Sequence, residues 1–175
     1  GYDFYGLWLD DTMTYSSALF KTGQESTEKA QEQKYAQMVD LMGVEPGEHV
    51  LEIGCGWGGF AEYAAGQRGL KVTAVTISQE QHDYAVERIA KAGLSDQVEI
   101  RLQDYRDIDG HYDGIASIEM FEAVGQKYWA TYFNTLRERL VPGRNAVLQI
   151  ITVQHARWEM YKRGVDFIQK YIFPG

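Results

Sequence analysis

One cysteine, three prolines, and 17 lysines and arginines against 25 acidic residues mark what this 175-residue sequence has little of. The lone cysteine, Cys55, excludes an internal disulfide and suits a reducing compartment. No apolar run is long enough to span a bilayer, and no stretch reads as a signal peptide. The net charge of −8 leaves no basic stripe to neutralise a phosphate backbone, which argues against a nucleic-acid partner. It also gives no global attraction to an anionic membrane, so membrane contact would need a local patch such as Lys162, Arg163 and Lys170. There are no repeats, no low-complexity tract and no metal-ligand pattern. What is abundant is aromatic: twelve tyrosines and four tryptophans, crowded at 1–20 and 155–173, suit a surface that meets an apolar ligand or an interface.

Apolar periodicity predicts a helix over 26–42, with Ala30, Tyr35, Met38, Val39 and Met42 inward. Alternating elements follow: strand 49–53, helix 59–68, strand 71–76, helix 79–92, strands 97–102 and 113–118, helix 126–140, strand 145–152 and a helical stretch over 154–170. "PGRN" at 142–145 reads as the turn into the fifth strand. This alternation predicts an α/β fold with a mostly parallel sheet and helices on both faces. One domain is expected: an aromatic segment and helix over 1–45, a cofactor-binding core over 46–153, and the start of a further segment over 154–175. The five strands stop without the antiparallel pair that often closes such sheets, so the chain reads as incomplete at both ends.

"VLEIGCGWGGFAEY", at 50–63, reads as a buried strand, a glycine turn and a helix start. Gly54, Gly56 and Gly59 match the dinucleotide spacing, which by itself records only a sharp bend against bare backbone. A dinucleotide site usually has a carboxylate at the end of the next strand; here that position is Thr76, and Gln81 is the side chain that can reach a ribose. Four glycines in six residues suit an amino-acid moiety pressed on backbone. Gln103 and Asp104, after the third strand, are placed to pair with an adenine edge. S-adenosylmethionine is therefore favoured over NAD.

Several stretches together, "FYGLWLDDTMTYSSALF", "VLEIGCGWGGFAEYAA", "VTISQEQ", "LQDYRD", "SIEMFEAVG" and "DFIQKYIFPG", resemble the cyclopropane-fatty-acyl-phospholipid synthases and the mycolic acid cyclopropane synthases and methyltransferases. They run from Phe4 to Gly175. The resemblance implies a class I S-adenosylmethionine methyltransferase sheet with helices over an acyl pocket. It assigns Tyr15, Gly54, Gly56 and Gly58 to the cofactor's methionine end, Gln81, with Thr76 beside it, to the ribose, and Gln103 and Asp104 to the adenine. It also implies a bicarbonate ion beside the reacting carbon, held by Glu122, by Ser17 where the family has cysteine, by Gln149 where it has histidine, and by the backbone near Ile151. Glutamine cannot titrate, so the second replacement bears on proton removal.

The implied reaction is transfer of the cofactor's methyl to a cis double bond of an unsaturated phospholipid or other acyl lipid. A carbocation follows, which aromatic faces such as Tyr2, Phe4, Tyr5, Trp8, Tyr15, Phe20 and Phe121 can favour. Loss of a proton from the added methyl closes a cyclopropane; loss elsewhere gives a methylated or methylene-bearing chain. Bicarbonate, oriented by Glu122, is the expected base, while Glu119 is read as facing the cofactor end of the cleft. A cytoplasmic protein, peripheral on the inner membrane face and a candidate homodimer, completes the expectation. A lipid-binding protein without turnover is the non-enzymatic alternative.

Overall fold

Leu51, Glu52 and Ile53 are buried on both faces of strand β1 (His49–Ile53), as expected of a central strand of a parallel sheet. The computed structural model describes residues 7, 9–10, 12–157 and 164. Around β1 stand β2 (Lys71–Thr76), β3 (Val98–Leu102), β4 (Tyr112–Ile118) and β5 (Leu140–Gln149), in the order β3-β2-β1-β4-β5, with every pairing parallel. Helices α1 (Thr27–Met42), α2 (Gly59–Arg68) and α3 (Gln79–Lys91) pack on one face. There Val39, Met42, Phe60 and Ile89 bury against Val50, Val72 and Ala116. Helix α4 (Trp129–Arg139) covers the other face, with Tyr132 and Leu136 against Leu51, Ile53 and Ile115.

Local chemistry sets the ends of these elements. The Ser26 hydroxyl accepts the Lys29 N–H at 3.2 Å and caps α1, which closes on Gly43 at φ 67°. Two expected boundaries move. The helix expected over 126–140 begins as a 3-10 turn, Gln126–Tyr128, and becomes α-helical only over Trp129–Arg139. Strand β5 ends at Gln149 rather than 152 and starts at Leu140, because "PGRN" makes a register break inside the strand: Tyr112 pairs Leu140, and Gly114 then pairs Asn145. Of the helix expected over 154–170, His155–Arg157 is helical; most of the rest, with Lys162, Arg163 and Lys170, lies outside the described residues, as do Tyr2, Phe4, Tyr5 and Trp8.

Parallel pairing puts the carboxyl ends of all five strands on one edge. The chain order reverses between β1 and β4, which opens a crevice there, the usual ligand position of such sheets.

Candidate functional site

Four chain segments converge on that crevice: the glycine turn after β1, the segment 12–19 lying across it, and the two loops after β4 and β5. The cleft between the first two is open to solvent. Met13, Thr14, Tyr15 and Ser16 line it on one side, and Glu52, Gly54, Gly56, Gly59 and Ile118 on the other.

Bare backbone is required here. Gly54 has φ +83°, and a Cβ on it would fall 2.8 Å from Met120 Cγ. At Gly56 a Cβ would meet the Tyr15 ring at 3.4 Å, and at Gly59 it would stand 2.8 Å from the Tyr35 hydroxyl. At Gly58, also in this turn, the missing Cβ faces Ala85 of α3 at 3.1 Å, so this glycine lets α2 and α3 approach. The Tyr15 hydroxyl accepts the Gln81 amide N–H at 3.3 Å, and the Gln81 carbonyl accepts the Thr76 hydroxyl at 2.9 Å. Tyr15, Gly56, Thr76 and Gln81 thus form one wall. Further along the edge, the Gln103 amide donates to the Asp107 carbonyl at 2.7 Å. Asp104 holds Arg106 through two bonds of 2.9 and 2.7 Å, and that guanidinium keeps its carboxyl below the usual range.

Segment 12–19 is fastened by one face of α1. Gln31 donates to the Ser16 carbonyl at 2.9 Å, Lys34 to the Ser16 hydroxyl at 2.7 Å, and Tyr35 and Thr14 share a hydroxyl contact of 2.6 Å. Gln31 and Lys34 are buried, at 3% and 4% exposure. Their side chains carry this contact, and their polarity had concealed them in the α1 pattern. Burial pushes the Lys34 ammonium down to about 8 against the pull of Glu119 and Glu52. Glu52, 2% exposed in the middle of β1, is pushed well up by its burial, and its Oε2 has no hydrogen-bond partner. Its signal in the sequence is a single carboxylate inside the apolar run of residues 50–53.

The four residues expected around an ion divide into two contacts. Ile151 donates its backbone N–H to the Glu122 carboxylate, which is exposed. Ser17 and Gln149 meet through Glu119: its Oε1 accepts the Ser17 N–H at 2.8 Å and the Gln149 amide N–H at 2.8 Å. The same Gln149 amide reaches the Ser17 carbonyl at 3.2 Å. Glu119 also donates its own N–H to the Gln149 carbonyl at 2.9 Å and sits at φ 49°, a left-handed conformation that costs a branchless side chain roughly 1 kcal/mol. Phe121 packs on Trp129, Tyr132 and Phe133, within the α4 core. Among the described residues no group of three or more His, Cys, Asp or Glu can hold a metal ion, and no helix is long and apolar enough to cross a membrane.

The arrangement suits a ligand with a small amine-bearing end on the glycine backbone and a polar sugar beside Gln81. The unpartnered Glu52 Oε2 on the cleft wall fits such an amine.

The chain is 43% identical over 180 residues to tuberculostearic acid methyltransferase UfaA1 of Mycobacterium tuberculosis, covering 99% of this chain and 42% of the relative. It is 40% identical over 175 residues to cyclopropane-fatty-acyl-phospholipid synthase of Escherichia coli, covering 99% of this chain and 43% of that protein. It therefore spans less than half the length of these two relatives. Its fold superimposes on mycolic acid cyclopropane synthase CmaA1, crystallised with SAH and CTAB, at a TM-score of 0.89 and 29% identity, over 99% of this chain and 64% of that one. The model of the mycolic acid cyclopropane synthetase family matches residues 1–175. The chain belongs to this family of S-adenosylmethionine-dependent methyltransferases.

Proposed function

We propose that the protein transfers a methyl group from S-adenosylmethionine to a cis double bond in the acyl chain of a phospholipid, with ring closure to a cyclopropane. The observation that carries this reading is the pairing of a glycine cradle under Tyr15 with a carboxylate cluster, Glu119 and Glu122, at the adjoining strand ends. When bound, S-adenosylmethionine supplies an electrophilic methyl on a sulfonium. In this reading Gly54 and Gly56 lie against its amino-acid end, Glu52 Oε2 receives its ammonium, and Tyr15, Thr76 and Gln81 hold the ribose. Gln103 and Asp104 border the adenine, with Asp104 shaped by Arg106. An alkene is a weak nucleophile, so most of the rate comes from alignment of the acyl chain against this wall. A base must then take a proton, and the loops after β4 and β5 bring carboxylates where one is needed. The lipid substrate implies peripheral contact with a membrane.

A second reading, a methylated or methylene-bearing product, is favoured by Gln149, whose amide is neutral, and by the 43% identity to a relative named as a tuberculostearic acid methyltransferase. Proton NMR of lipid recovered after the full-length protein has acted on a cis-monounsaturated phospholipid separates the two. Upfield ring protons are expected; vinylic methylene signals or a retained methylated alkene establish the second reading instead. Absence of S-adenosylhomocysteine release with lipid present sinks both.

A further inference from the structure

We propose that Glu119 is the resident base of this site, its carboxylate standing where a bound bicarbonate would otherwise be held; the catalytic part rests on the function proposed above. At two of the residues expected to hold an ion, the Ser17 backbone N–H and the Gln149 side-chain amide are both turned onto one protein oxygen, Glu119 Oε1, at 2.8 Å each. The Gln149 amide cannot swing away cheaply, because the same nitrogen also reaches the Ser17 carbonyl at 3.2 Å. An added bicarbonate would have to displace Glu119 from these donors and lie against its negative charge. Both of these donors engage Oε1, so Oε2 of Glu119 is the oxygen that takes the proton. The backbone tells the same story: Glu119 is held at φ 49° by its bond to the Gln149 carbonyl, and strain of this kind persists where the surroundings over-determine a position. Glu122, by contrast, is exposed and spends an oxygen on the Ile151 N–H, joining the β4 and β5 loops.

The step balances without an oxidant. The alkene π pair forms the new carbon–carbon bond to the methyl, while the methyl–sulfur pair stays on sulfur. For the cyclopropane, a C–H bond of the added methyl gives its proton to Glu119 Oε2 and its electron pair to the new bond between that carbon and the cationic carbon. For the alkene product, a C–H bond on a carbon adjacent to the cation gives its pair to the new double bond. Glu119 then returns the proton to water.

The test uses the full-length protein in carbon-dioxide-free buffer, with Glu119→Gln and Glu119→Gly. Glycine suits the left-handed backbone at this position, so that variant keeps the fold. Wild type is expected to turn over equally with and without bicarbonate and to leave the 13C-bicarbonate resonance narrow. Glu119→Gln should lower kcat at least about 100-fold while S-adenosylhomocysteine affinity, by calorimetry, stays within about threefold. Glu119→Gly should be equally slow, broaden the 13C-bicarbonate resonance, and regain at least about tenfold in rate when bicarbonate is added. The proposal is overturned by bicarbonate-dependent wild-type turnover, by Glu119→Gln activity within about threefold of wild type, or by equal 13C behaviour in wild type and Glu119→Gly. Should wild type methylate no acyl chain, the lipid reading fails. The 13C measurement, which needs no lipid, still decides whether Glu119 or an ion holds the Ser17 and Gln149 donors.

Discussion

A carboxyl group in the middle of an apolar strand has to be neutral, paired or useful. Glu52 is surrounded by β1 neighbours that are fully buried, and desolvation favours its protonated form despite Lys34 and Arg88 nearby. Its folded pKa thus lies above the unfolded value near 4.5. The folded state then holds the extra proton, so the stability this group contributes is complete below about 4.5 and falls as pH rises through the folded value. Glu52→Gln keeps the neutral shape. Urea unfolding between pH 5 and 8 should show wild type losing stability relative to the variant as pH rises, by up to about 1.4 kcal/mol per unit of separation between the two pKa values. The same variant should weaken S-adenosylhomocysteine binding, since a bound ammonium draws the Glu52 carboxyl to its ionised form and an amide cannot ionise.

At the scale of the element, α1 is a clamp as well as a core helix. Ala30, Tyr35, Met38, Val39 and Met42 bury as the apolar periodicity predicts, but the neighbouring Gln31 and Lys34 are buried too. Their amide and ammonium reach back 15 and 18 residues to Ser16, and Gln33 reaches the Leu19 carbonyl. Helical spacing says which positions share a face; it does not say that a lysine on that face finds a hydroxyl acceptor inside the protein. Lys34→Met removes the charged hydrogen bond and leaves Glu52 and Glu119 without its compensation. Breaking such a contact costs about 2 kcal/mol or more, so S-adenosylhomocysteine should bind at least about tenfold more weakly in calorimetry. Lys34→Arg, which keeps the charge, should recover part of that loss.

Across the whole molecule, β1 is the strand flanked on both sides and covered on both faces, whereas β3 pairs only with β2 among the described residues. Amides of Leu51, Glu52 and Ile53 should therefore exchange with the global unfolding free energy, and those of β3 should open locally at least about 100-fold more readily. Native-state hydrogen exchange read by NMR checks this; equal protection of β1 and β3 would show that the sheet opens only as a unit.

The sequence by itself determined the alternation of strands and helices, the glycine turn at 54–59 and the stretches that mark the family, because periodicity, turn chemistry and motif are local properties of the chain. It missed the register break at Pro142–Gly143, since a strand's pairing depends on a partner about 30 residues away. Gly58 and Gly59 look alike in sequence, and packing alone turned one toward Ala85 and the other toward the cleft. The same holds at the carboxylates. Two glutamates three residues apart, Glu119 and Glu122, are equivalent as letters. Only the tertiary structure chose between them, by bringing Ser17 from the far end of the chain and Gln149 from β5 onto Glu119, and giving Glu122 to Ile151. Long-range hydrogen bonds assign such roles, and they exist only once the sheet has aligned its strand ends.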